Sequence, residues 1–128
     1  MIMSQAYLGS EIPRILLSNG TSTYNGVLGS YCWNNICVTK INPSVGPNTY
    51  EIISVQKDST INFQVVGFDA PEKLHITIFL SNDRNIVLDT EISNRLNLDI
   101  PRGIYIISVM ASWMYKGDVS YIFSLDVV

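Results

Sequence analysis

Hydrophobic and polar positions alternate along most of this chain, and no window of useful length repeats every 3.6 residues. The pattern is clearest at the C-terminal end. Over 118–128, Val119, Tyr121, Phe123, Leu125 and Val127 fall on one face, and Ser120, Ser124 and Asp126 on the other. Over 103–113, Tyr105, Ile107, Val109, Ala111 and Trp113 form one stripe. The opposite face there, Ile104, Ile106, Ser108, Met110 and Ser112, is less polar than an open solvent face should be. Tyr115-Lys116-Gly117-Asp118 joins the two as a hairpin turn. Upstream stripes are Leu96, Leu98 and Ile100; Ile86, Leu88 and Ile92; Leu74, Ile76, Ile78 and Leu80; and Ile61, Phe63 and Val65. A turn over 81–85 separates two of these stripes.

Residues 50–55 read as a strand whose inward face the pattern does not choose. A strand over 14–18 leads to a hairpin at Asn25-Gly26, a pair that favours type I′ turns, and 27–33 follows as a strand. The chain therefore predicts about eight or nine short strands. Each has one apolar stripe, so each sheet needs another sheet to cover it. The expected fold is all-β: an antiparallel two-sheet sandwich in one domain over 1–128, with 1–13 as a flexible N-terminal segment.

Composition agrees with such a core. Of 128 residues, 47% are hydrophobic and 15% charged, the reverse of a disordered chain. The net charge of -3 argues against a nucleic-acid or anionic-membrane partner, which would call for a basic face. The longest uncharged stretch, 103–115, has thirteen residues and alternates, so no transmembrane helix is expected. The first twenty residues lack a basic n-region and an apolar h-region, which fits either a cytosolic protein or a mature fragment.

Two cysteines, Cys32 and Cys37, flank Trp33-Asn34-Asn35-Ile36. The spacing is not the C-x-x-C of redox enzymes, and a zinc site would need four ligands, whereas the single His, His75, lies 38 residues further on. The simplest reading is a structural disulfide closing a hairpin; the alternative is two packed, reduced thiols. A disulfide would favour an extracellular or cell-surface location over the cytoplasm. The sequon Asn19-Gly20-Thr21, in a turn, leans the same way.

Leu98-Asp99-Ile100-Pro101-Arg102-Gly103-Ile104-Tyr105 and the strand after it resemble the turn-and-strand signature of immunoglobulin-like and fibronectin-like sandwiches. That resemblance implies a Tyr105 hydroxyl bonded to backbone upstream. Asn25-Gly26-Val27-Leu28-Gly29-Ser30-Tyr31-Cys32-Trp33, followed by Cys37, is similar to a stretch in uncharacterised secreted proteins and lipoproteins of Gram-positive bacteria. Neither resemblance implies an activity, and the chain has no lipobox.

Candidate chemistry is sparse. His75 sits opposite the apolar stripe of its strand and reads as a surface residue. Asp89 and Glu91 share a strand face about 7 Å apart, a spacing glycosidase carboxylates use, but on a plain solvent face. Asp69 with Glu72 is a second acidic pair. No nucleophile elbow or phosphate loop occurs, so no enzyme activity, cofactor or metal is expected. Aromatic residues cluster twice, as Tyr24, Tyr31 and Trp33 and as Trp113, Tyr115 and Tyr121. One strand phase puts Tyr31 and Trp33 inside; the other makes them an exposed stacking platform. The sequence thus predicts a non-catalytic binding or structural module. One form binds another protein, or a second copy of itself, through an outer patch at Ile104, Ile106 and Met110. The other binds carbohydrate or a small ligand through Tyr31 and Trp33.

Overall fold

Short apolar stripes of period two can bury only one face each, and the chain resolves this by stacking two sheets. The structure, a computed structural model, describes residues 12–39, 51–82 and 85–128. Its strands are β1 (Arg14–Ser18), β2 (Thr23–Asn25), β3 (Val27–Trp33), β4 (Ile36–Val38), β5 (Ile52–Val55) and β6 (Thr60–Val66). They continue as β7 (Lys73–Leu80), β8 (Ile86–Ile92), β9 (Arg95–Asn97), β10 (Gly103–Trp113) and β11 (Gly117–Val127). The smaller sheet runs β2-β1-β6-β9 and the larger β4-β3-β11-β10-β7-β8. Pairing is antiparallel except that β5 lies parallel to the end of β11. The fold is all-β and sandwich-like, as the alternation predicts. It has eleven strands among the described residues instead of eight or nine, because three-residue strands such as β2 and β4 are too short to show a period. Among the described residues no helix is long and apolar enough to cross a membrane.

The core lies between the sheets. Ile15, Leu17, Ile61 and Phe63 of the small sheet pack over Ile76, Ile78, Tyr105, Ile107, Val109, Phe123 and Leu125 of the large one. Phe63 and Phe123 meet edge to face at 6.1 Å. Each such side chain contributes about 1.5–3 kcal/mol by leaving water. Ile12 packs against this core, and the Tyr121 hydroxyl donates to the Pro13 carbonyl at 2.7 Å, so residues 12 and 13 are anchored instead of free. The rest of the expected flexible segment, together with Tyr50 and residues 83–84 of the expected turn, lies outside the described residues.

Asn25-Gly26 is not a hairpin turn. β2 pairs with β1 in one sheet and β3 with β11 in the other, so the chain changes sheets at Gly26. A Cβ there would lie 2.7 Å from Tyr121 Cβ and 2.8 Å from the Phe123 ring; close approach, not turn geometry, requires the glycine. The left-handed two-residue turn is Asn34-Asn35, with φ of 53° and 68°. The first hairpin instead turns at the sequon. There Asn19 Oδ1 accepts from the Thr21 and Ser22 amides at 3.0 and 2.9 Å. The Tyr105 hydroxyl donates to the Pro101 carbonyl at 2.6 Å, the upstream bond that the resemblance implies.

Candidate functional site

The turns β3–β4 and β10–β11 and the loop β6–β7 meet at one end of the sandwich. Trp33 pairs in register with both Ile36 and Gly117, which sets the two hairpins side by side. The Asn34 amide donates to the Lys116 carbonyl, and Lys116 Nζ donates to Asn34 Oδ1, both at 3.0 Å. Behind these tips three rings lock edge to face. Trp33 meets Trp113 and Phe68 at 5.1 Å each, and Phe68 meets Trp113 at 6.0 Å. Trp113 Nε1 donates to the Asp69 carbonyl at 2.8 Å, pinning the β6–β7 loop. Lys116 Nζ lies 5.7 Å from the Phe68 ring centre, within cation–π reach.

The disulfide Cys32–Cys37 is formed, with Cα atoms 4.0 Å apart at directly opposed positions of the hairpin. At this end four large apolar or aromatic side chains stand open beside the exposed Asn34 and Asn35. Tyr115 is 92% exposed, Met114 69%, Ile36 46% and Phe68 40%.

Trp33 is 5% exposed, so it is not a stacking platform. Tyr31 is half-buried against the core. Both strand phases are partly right, because β3 carries a bulge. Tyr121 is opposite Leu28 and Val119 is opposite Tyr31, two residues on β11 against three on β3. Leu28 therefore faces inward in one phase, and Tyr31 and Trp33 in the other. The Ser120 hydroxyl donates to the Ser30 carbonyl across the bulge at 2.6 Å.

The outer patch on β10 also needs correction. Ile104 and Met110 are 37% and 38% exposed, but Ile106 between them is 3% exposed. It stands on an interior strand, in register with Phe79 on one side and the buried Ser124 on the other. Ile104 and Met110, six residues apart, are separated by about 20 Å of strand. They do not make one surface with Ile106.

His75 lies on the predicted outer face and is tied to Asp89 through Nε2 and Oδ1. Thr77 Oγ1 donates to the same carboxylate oxygen at 3.1 Å. The bond to His75, and secondarily that to Thr77, holds the Asp89 carboxyl below the usual carboxylate range. Glu91, opposite His75, instead pairs with Lys73 at 3.8 Å. The two carboxylates thus have separate partners. Among the described residues no hydroxyl or thiol bonds the imidazole. Asp69 contributes its carbonyl to Trp113, while Glu72 lines a cleft beside β6.

Sequence reasoning paired the cysteines and grouped Tyr115 with the clustered aromatics, offered Trp33 as a contact that the structure buries, and missed Phe68, Met114 and Ile36. The signal for Met114 was available: it precedes Tyr115 in a turn, where an apolar side chain has no core to enter. Phe68 carried no such signal, because only the sheet topology brings its loop to the tryptophans.

No protein-family model matches the chain, and no curated protein does. Among solved structures it is similar to the extracellular domain of a B. thetaiotaomicron protein described as a one-component system. That similarity has 14% identity and a TM-score of 0.37, over 80% of this chain and 15% of the other. The chain thus spans a small part of that protein's length.

Proposed function

We propose that this chain is a non-catalytic binding module, working outside the cytoplasm, that docks a protein partner with its hairpin end. One observation carries the reading: Met114 and Tyr115 stand open on a turn whose base is fixed by Trp33, Trp113 and Phe68. Exposed Tyr and Met on a rigid support are the residue types that fill a partner's apolar pocket at little entropic cost. The disulfide in the adjacent hairpin supports an oxidising location.

The test is cross-linking at the surface of the source cells with the intact chain and its Tyr115→Ala and Met114→Glu variants. Matched thermal melts show that the variants fold. A partner whose cross-linking yield falls tenfold or more in both variants supports the reading. A partner captured equally by all three, or a substrate turned over by the chain, overturns it.

A further inference from the structure

Among the described residues the smaller sheet is left unfinished on one side. β9 pairs with Thr60, Ile61 and Asn62 only, and the last bond on that flank runs from the Phe63 amide to the Asn94 carbonyl at 2.8 Å. In an antiparallel strand, alternate residues direct both backbone groups to the same side. Phe63 points toward β9, so Val65 does too. The other flank gives the same parity: Ile15, opposite Val65, directs its carbonyl away from β6, to the Gly26 amide at 3.3 Å. The amide and carbonyl of Val65 therefore face away from β1, and among the described residues neither has a partner on that side. They face a cleft of about 570 Å3, within the range of ligand sites. Phe63, Leu74 and Ile92 give it apolar walls, and Glu72, Lys73 and Asn94 add polar groups.

We infer that this cleft takes an extended peptide segment of a partner protein, added to β6 as a strand in line with β9. A free strand-edge amide and carbonyl match the backbone of an extended chain, and the apolar walls match side chains at alternate positions. The Val65 side chain packs against the core, so the peptide residue opposite it shares that face and must be small and apolar. The cleft borders the β6–β7 loop that supports the hairpin end, but neither Met114 nor Tyr115 lines it, and either reading stands if the other fails.

The test uses a random heptapeptide library on phage, selected against the intact chain. Val65→Pro deletes the amide facing the cleft; Pro is tolerated in strands where the amide is unpaired. Because a proline can also loosen the sheet, Ala70→Arg serves as the second variant. Ala70 is an exposed residue of the β6–β7 loop that lines the same cleft. Selected peptides should alternate apolar and polar residues. They should lose tenfold or more in affinity for Ala70→Arg, which keeps the wild-type melt, and for Val65→Pro if it folds, and keep their affinity for Tyr115→Ala. Three outcomes overturn the inference: no enriched sequence, peptides indifferent to Ala70→Arg, or a dimer of the chain that Ala70→Arg dissociates.

Discussion

At Gly117 the backbone turns with φ of +125°, and a Cβ would sit 1.9 Å from the Cys32 carbonyl oxygen. The obstacle is backbone, which cannot swing aside as a side chain can. Gly20 has a similar φ of +95° but nothing within 4 Å of the missing Cβ. The pair separates conformational strain from collision. Gly20→Ala should cost about 1 kcal/mol and Gly117→Ala about 3 kcal/mol or more in urea unfolding, and equal losses would show that strain alone matters. Asp89 offers a second test at this scale. Its folded carboxyl titrates below its unfolded value because of His75 and Thr77. Its contribution to stability is therefore complete above the ordinary carboxylate range and is lost as pH falls through the lower folded value. In His75→Ala the Asp89 midpoint, followed by NMR, should rise toward the ordinary value; an unchanged midpoint would remove His75 as the main cause.

Among the elements, the β3–β4 hairpin shows how local chemistry is layered. Asn34 and Asn35 accept the left-handed turn, Trp33 and Ile36 close it, and the disulfide clamps the next pair. A ring this small should stabilise by about 2 kcal/mol in the chain-entropy model. Reduction should lower the unfolding free energy by that amount while leaving the strand signal in circular dichroism, because β11 still holds β3. Loss of the sheet on reduction would mean that the hairpin organises the fold. β6 and β7 were legible because a half-buried strand must alternate, whereas β10 and β11 showed one full apolar stripe although parts of both their faces are buried. β5 was not legible: Ile52 and Ile53 are equally apolar, and only pairing to β11 buries Ile53 and leaves Ile52 at 42% exposure. Nor was the role of Gly26, since the residues it must clear, Tyr121 and Phe123, are about a hundred positions away in sequence. Asn-Gly described a turn that local chemistry allowed and tertiary pairing did not use.

For the whole molecule, sheet order was beyond the sequence, because every stripe is compatible with several neighbours. The candidate site divided in the same way. Tyr115 and the cysteines could be read locally, whereas the Trp33–Trp113–Phe68 base and the open edge at Val65 exist only once three loops and two sheets are in place. The order also distributes stability. β10 is paired along its length with β11 on one side and over most of it with β7 on the other. Residues 105–107 of β10 are buried whichever face they lie on. By contrast β2 and β4 are three-residue strands at sheet edges. Amide protection follows burial and the number of neighbouring elements that must open together. Native-state hydrogen exchange should therefore find Ile107, Val109 and Phe123 slowest, opening only with global unfolding, and β2 and β4 faster by orders of magnitude. The turn 114–116, the proposed docking element, caps the β10–β11 hairpin, so the same experiment bears on the proposed function. If β10 and β11 exchange slowly right up to Trp113 and Gly117, Tyr115 is presented on the most rigid hairpin of the molecule and need lose little freedom on docking. If protection fades several residues before the turn, the end of the hairpin frays in the free chain. A partner would then have to order that end on binding, and the rigid-support argument for Met114 and Tyr115 would fail.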